Sequence, residues 1–420
     1  MSEDDIHKKE KDTPKDTPDV GKIEDEQKNI ILASDSYAAK FVQRTILDAV
    51  ERRASDIFIE PSDENLRIRY RIDGLLYEMG TCPLKHASPI VSCCKVMSNL
   101  DIAEHRFPQD GRFRFHVRSN PVDFRVSVLA TNMGERVVMR VLDKSRVELN
   151  LDRLGFDGDS LQIIRRNLKK PYGMILVCGP TGCGKTTTLY ACLRYIDSID
   201  VNITTVEDPI EFQLPGINQV AVNEEIGLTF ASVLRSTLRQ DPDIIMVGEI
   251  RDFETADIAV KASLTGHLVL STLHTTTATG AVVRFINMGI EPFLIASSCL
   301  VTASQSLLRR FCSKCKEEVE PPETLREALK NSSLSVSEHL KYYQSQGCRF
   351  CNNTGHSGRE GIIEVLELDS EIRDLLINKE SEGRLREVAV RKGMRTLREK
   401  ALMKVIEGIT TIEEVYRVTL

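Results

Sequence analysis

The chain has 420 residues, 41% of them apolar and 28% charged, the balance of a soluble globular protein with length for two or three domains. A net charge of −6 gives no global basic surface for nucleic acid, no apolar run approaches the ~18–20 residues of a membrane span, and residues 1–30 are not a signal peptide. A cytoplasmic location follows, and there eleven cysteines, four of them in two Cys-x-x-Cys pairs, suggest metal rather than disulfides.

Residues 1–33 read as a disordered, charged tail. The first thirty residues hold sixteen charged side chains and no aromatic ring, and Pro14 and Pro18 break any helix. Order begins at Ser34-Asp35, an N-cap for a helix whose apolar positions are Ala38, Phe41, Val42, Ile46, Ala49 and Val50. The period then switches to two: strands are predicted over 56–60 and 66–72, the second ending in an Asp73-Gly74 turn. A helix over 87–100 and strands over 112–118, 122–129 and 136–142 complete an α+β domain spanning 34–143. Its strands carry a persistently basic face. Arg112, Arg114 and Arg118 share one side, and Arg125, Arg136 and Arg140 lie on polar sides. Two readings stay open: a solvated sheet face, or arginines directed at phosphates bound elsewhere.

A charged linker over 144–158 leads to a helix over 160–170, and then to the stretch around which the chain is organised. Residues 174–178 form an apolar strand, followed by Gly179-Pro180-Thr181-Gly182-Cys183-Gly184-Lys185-Thr186 and a helix over 187–194 that starts at Thr187. This is the phosphate-loop pattern in its required strand–loop–helix context. The glycines let backbone N–H groups line an anion nest, and the helix N-terminus adds partial positive charge. Lys185 reaches the β- and γ-phosphates of a nucleoside triphosphate, and the Thr186 hydroxyl ligates Mg²⁺. Apolar strands over 201–206, 244–247 and 268–273, separated by helical stretches, predict a parallel α/β sheet. Acids stand at the ends of two of these strands. Glu207, Asp208 and Glu211 follow the first, and Glu249 and Asp252 follow the second. One cluster serves the metal and the other the attacking water. His267 and His274 bracket the third strand, and the threonines beside His274 favour it as the sensor of the γ-phosphate.

Cys312 and Cys315, then Cys348 and Cys351, lie either side of a helical insert. Two such knuckles complete a Cys₄ zinc site with every ligand from the protein, which makes it structural. Helices over 371–378, 383–392, 394–407 and 411–418 end the chain.

Eight stretches carry a resemblance over roughly residues 35–420: ASDIFIEP, RIRYRIDG, DIAEHRFPQDGR, DFRVSVLAT, GPTGCGKTTTLY, TTVEDPIE, RQDPDIIMVGEIRD and TGHLVLSTLHT. In that order they resemble the type II secretion and type IV pilus assembly ATPases, the GspE/PilB-like group. The resemblance implies a RecA-like motor domain over 159–311 preceded by a PAS-like domain, a zinc module over 312–352, a C-terminal helical region over 353–420, and assembly as a hexamer. It implies that residues 207–211 are the Asp box, Glu249 the Walker B acid and residues 266–275 the His box, and that Arg112, Arg125 and Arg140 approach the nucleotide. It also implies ATP, Mg²⁺ and Zn²⁺ as cofactors and inner-membrane platform proteins as partners; the acidic balance and only 5% aromatic residues argue against direct contact with nucleic acid. Assembly and secretion ATPases carry the tetracysteine module, whereas retraction motors usually lack it. Some positions depart from the family: Phe58 stands for a usual His, Cys183 for a common Ser, Thr276-Thr277 for Asn-Asp and Ser306 for a common Arg, and the large N-terminal domain of many relatives is missing. The expectation is a cytoplasmic, membrane-associated hexamer that hydrolyses ATP to assemble or export pilin-like subunits. The alternative is a retraction or nucleic-acid-translocating motor of the same superfamily.

Overall fold

A computed structural model describes residues 36–118, 120–143, 148–334 and 340–419. The tail expected over 1–33 lies outside these residues, as does the start of the 144–158 linker. The chain divides into two compact units at residues 145/146.

The first unit begins with helix α1 (Tyr37–Glu51), whose true N-cap is Ser36, its hydroxyl accepting from Ala39 N–H. Strands β1 (Ala54–Pro61), β2 (Asn65–Ile72) and β3 (Leu75–Pro83) follow, then α2 (Ala87–Met97) and strands β4 (Gln109–Val117), β5 (Asn120–Thr131) and β6 (Gly134–Leu142). All pairings are antiparallel, and the order β3-β2-β1-β6-β5-β4 joins two three-stranded meanders through β1 and β6. One face buries Ile57, Ile59, Phe124, Val137 and Met139 with Val42 and Ile46 of α1 and Met97 of α2. The other face is an ion-pair lattice. Glu60 takes Arg67, Arg69 and Arg136, and Asp56 takes Arg71 and Arg140. Phe58 lies between the guanidiniums of Arg71 and Arg136, at 5.5 and 5.6 Å from its ring centre.

The second unit alternates. Helix α3 (Gly158–Leu168), β7 (Gly173–Cys178), α4 (Lys185–Ile196), β8 (Ile203–Glu207), β9 (Asn218–Ala221), α5 (Phe230–Thr237), β10 (Ile244–Val247), α6 (Phe253–Leu264), β11 (Leu268–Leu273), α7 (Ala278–Asn287) and α8 (Pro292–Ser298) run into the long strand β12 (Cys299–Phe311). After β13 (Lys316–Val319), α9 (Glu323–Lys330) and β14 (Tyr342–Ser345), β15 (His356–Glu367) returns against β12. The sheet order is β15-β12-β7-β11-β10-β8-β9, parallel except for β15. Strands β7, β8, β10 and β11 are buried along their whole length, which explains the continuous apolar runs of β7 and β10, while β8 and β11 also bury Thr204, Thr205, Ser271 and Thr272. Helices α10 (Ser370–Ile377), α11 (Glu382–Arg391), α12 (Leu397–Ile406) and α13 (Ile412–Val418) close the chain.

Helix starts follow caps rather than hydrophobic periodicity. Asp157 accepts from Ser160 N–H and starts α3 two residues before the expected 160. A capping box of Thr396 and Glu399 starts α12 three residues after the expected 394. Strand β12 is tied to α13 through Glu414, a buried carboxylate that accepts from the Arg309 backbone N–H at 3.0 Å, the Arg309 guanidinium at 2.7 Å and Arg417 Nε at 2.8 Å. Burial alone would raise its pKa, but Arg417 and Arg309 outweigh burial and hold it at about 2. A carboxylate depressed in the folded state stabilises above its ordinary pKa of ~4.3, and that stability fades as pH falls towards the folded value. Glu414→Gln should therefore melt below the wild type at pH 7, with the gap closing between about pH 5 and pH 2. Calorimetry across that range checks this; a gap independent of pH would contradict it.

Candidate active site

Strand β7 delivers the phosphate loop. The chain leaves the sheet at Gly179 with φ 145°, and Gly182 and Gly184 also have positive φ. A Cβ at Gly179 would lie 2.3 Å from the Gln305 carbonyl oxygen, so that position admits only glycine. Gly184 caps α4 in the left-handed conformation with no side-chain hydrogen bond, which leaves the first-turn N–H groups for an anion. Lys185 Nζ donates back to the carbonyls of Gly179 at 2.8 Å and Pro180 at 3.2 Å. Thr186 and Thr187 sit half-buried on the first turn, while Cys183 is buried beneath the loop, where burial raises its thiol pKa. Pro180 and Thr181 form the exposed rim.

The loop has a brace that the sequence reading did not find. Gln305, buried in the middle of β12, accepts from the Thr188 hydroxyl at 2.7 Å. The only sequence signal is a polar residue inside a strand too buried to tolerate one without a partner.

Parallel register brings the acids to the same edge. Val247 of β10 pairs with Val206 of β8 and Ser271 of β11, and Leu273 of β11 pairs with Cys178 of β7. Glu207, Glu249 and His274 therefore leave the sheet at the edge where the phosphate loop begins. Glu249 meets Arg251 Nη2 at 2.5 Å and His274 Nε2 at 3.3 Å. Glu207 is almost wholly buried. It accepts from Thr205 at 2.6 Å, from Gln219 Nε2 at 3.0 Å and from the Tyr190 hydroxyl. Burial and Glu207 itself push the Tyr190 pKa well above the phenol range, so Tyr190 stays a donor. His267 stands at the start of β11, its Nδ1 3.0 Å from the Ala262 carbonyl, at the opposite end of the strand from the loop.

The arginines form a row of their own within the first unit. Arg112, Arg125 and Arg140 are successive cross-strand partners on β4, β5 and β6, and Asp56 comes next on β1. With Asp110 and Ser127 they line a concavity of about 490 Å³. Arg140 Nε donates to Asp56 at 3.1 Å. Arg114 pairs with Asp123 at 2.7 Å, and Arg118 leaves the strand to pair with Glu51 at 2.5 Å.

The β12–β15 ladder ends with Phe311 opposite His356, and the four cysteines gather at that end. Sγ atoms of Cys312 and Cys348, Cys315 and Cys351, and Cys348 and Cys351 are each 3.8 Å apart, and all four lie within 4.8 Å of one another. Four sulfurs at ~2.3 Å from a tetrahedral zinc would be ~3.8 Å apart, so the residues fit that ion. The Cys348 N–H donates to Cys351 Sγ at 3.2 Å.

A phosphate loop at the carboxyl edge of a parallel sheet, facing two strand-end acids, defines a P-loop nucleotide-binding α/β protein. The chain belongs to the type II/IV secretion system protein family, which matches residues 32–417. The type IV pilus assembly ATPase PilB of Myxococcus xanthus is 49% identical over 386 residues, 91% of this chain and 68% of that protein. The type II secretion system ATPase E of Vibrio cholerae is 49% identical over 385 residues, 92% of this chain and 76% of that protein. Among solved structures, the pilus retraction motor PilT with bound ADP superposes with a TM-score of 0.59 at 26% identity, covering 89% of this chain and 95% of PilT. The ATPase DotB of Legionella pneumophila, at 21% identity, a TM-score of 0.66 and coverage of 90% and 95%, shares the fold. The family suggested by the eight motifs is thus the family found.

Gln305→Leu keeps the volume of the brace and strands the Thr188 hydroxyl. An unpaired buried donor costs about 1–3 kcal/mol, so ATP affinity should fall about tenfold as the loop loosens. Titration with a fluorescent nucleotide reads this, and unchanged affinity would show that the brace is idle.

Proposed function

We propose that this chain is an ATP-hydrolysing motor that works as a ring, a homo-hexamer, to assemble or export pilin- or pseudopilin-like subunits. The observation that carries the reading is the shared strand edge, which collects the phosphate loop, Glu207, Glu249 and His274. The relatives at 49% identity are an assembly and a secretion ATPase, whereas the retraction motor stands at 26%, and this difference favours assembly or export over retraction.

In this reading Lys185 exchanges its loop carbonyls for the β- and γ-phosphates. Thr186 and Glu249 would hold Mg²⁺, which would supply positive charge to the phosphate oxygens. Glu249 must first release Arg251. Glu207 orients the attacking water. Its three donors leave about one of a carboxylate's roughly four lone-pair positions for that task. His274 senses the γ-phosphate beside Glu249. Arg112, Arg125 and Arg140 meet bound phosphate when units or subunits pack together, so that hydrolysis follows their motion. Cys312, Cys315, Cys348 and Cys351 would hold a zinc ion, whose bonds would tie together the end of the β12–β15 ladder. No helix among the described residues is long and apolar enough to cross a membrane, and the motor acts from the cytoplasm on an inner-membrane platform.

The test is ATP turnover by the full chain. Lys185→Ala removes a charge from an open cradle and not from a core, so it should fold normally and lose roughly 10²–10³-fold in rate. In the same assay Glu249→Gln should raise the Mg²⁺ requirement, and Glu207→Gln should bind ATP yet stall. Wild-type turnover by Lys185→Ala would refute the motor reading.

The zinc assignment has its own readout. Protein purified without chelator should contain about one zinc per chain, and Cys351→Ser should lose it and melt earlier. Zinc retained by the variant, or absent from the wild type, would count against the assignment.

A further inference from the structure

The loop that carries His274, residues 274–277, is held by side chains from far downstream. Ser304 of β12 donates to the Thr276 carbonyl at 2.9 Å. The Thr277 hydroxyl caps α7 by accepting from Gly280 N–H at 3.0 Å, and it donates to Glu382 Oε1 at 2.7 Å. The same oxygen accepts from the Thr279 hydroxyl at 3.1 Å. There is no space to spare: a Cβ at Gly280 would stand 2.6 Å from Thr277 Oγ1 and 3.3 Å from Glu382 Oε1. Beneath them Glu364, fully buried, accepts from Ala278 N–H at 2.8 Å and Leu397 N–H at 3.0 Å. One carboxylate thus joins the first turns of α7 and α12, where both helix dipoles stabilise its charge.

Glu382 differs from Glu364 in what it does for the fold. It is only half-buried, in the first turn of α11, and α11 is already seated by Leu385, Val388 and Ala389. Its two hydroxyl partners belong to the end of the His274 loop and the turn after it. A hydroxyl that accepts from a backbone N–H also donates more strongly, so the Gly280–Thr277–Glu382 chain is stiffer than its separate bonds.

We infer that Glu382 is a positioning residue for hydrolysis: through Thr277 it fixes the loop so that His274 stands against Glu249, and it makes that placement depend on α11. The inference rests on the motor reading. Without Glu382 the loop keeps its Ser304 and Glu364 anchors, so the site is still formed, but His274 is held less precisely.

The experiment measures ATP turnover, nucleotide affinity and melting for full-length wild type, Glu382→Ala, Glu382→Gln, His274→Ala and the Glu382→Ala/His274→Ala double variant. Glu382→Ala should lower kcat about five- to tenfold with KM and ATP affinity unchanged. Glu382→Gln, which still accepts from both hydroxyls, should recover most of the rate. Adding Glu382→Ala to His274→Ala should cost nothing more. Wild-type kcat in Glu382→Ala or in His274→Ala, fully additive losses, lost affinity at unchanged kcat, or failure of Glu382→Ala to fold would each overturn the inference. Lys185→Ala run alongside separates the two proposals. Turnover that survives it defeats the motor reading, whereas turnover lost there but untouched by Glu382→Ala defeats the clamp alone.

Discussion

Parallel hydrogen bonding between β7, β11, β10 and β8 brings the four strands to an end within two residues of one another. Everything chemical in the second unit depends on that alignment. A phosphate loop supplies donors and a lysine, but it cannot by itself place a metal-binding acid, an acid for water and a histidine within reach of one phosphate. Three strand ends in register with its own strand do so with no long loop and little conformational entropy to lose. The apolar character of these strands and the position of the acids are thus one constraint, since a slip of one residue would turn Glu249 and His274 away from each other.

The positions of Glu207 and Glu249 show how shared placement can hide different environments. Both follow buried strands, and in the sequence they look alike. Glu207 is sealed by Tyr190, Thr205 and Gln219, while Glu249 meets the exposed side chains of Arg251 and His274. A sealed carboxylate keeps one geometry. An acid paired to an exposed arginine can exchange that partner for a cation at small cost.

Much of this was legible in the sequence because it is local. The phosphate loop, the strand-end acids, the Cys-x-x-Cys spacing and the period-two strands each declare themselves within a few residues. What was not legible is non-local. Strands β12 and β15 carry Thr302, Ser304, Gln305, Ser306 and Glu364 in buried positions, so neither reads as an apolar run nor alternates. Their polar atoms make sense only once Thr188, Ala278 and Leu397 are in place. Strand β3 was missed because Gly80 and Pro83 interrupt a weak alternation on a sheet edge. The basic face reads in the sequence as solvated or phosphate-directed. The lattice built on Asp56 and Glu60 gives two of its members, Arg136 and Arg140, a third occupation, as partners of buried acids that cross-strand register brings beneath them, beside Arg67, Arg69 and Arg71.

The length of β12 has a mechanical meaning. One long strand runs from Cys299 past Gln305, which touches the helix behind the phosphate loop, to Phe311, and the next residue is the first cysteine of the cluster. At roughly 3.3 Å per residue the brace and the cluster sit at two points of a single rod about 23 Å apart. The strand is paired on both sides only as far as Ser304; from Gln305 to Phe311 it is held by β15 alone, with a register shift just before Phe311. A pull at the cysteine end would therefore load the β15 ladder first, and the Gln305–Thr188 hydrogen bond is where that load would meet the nucleotide end.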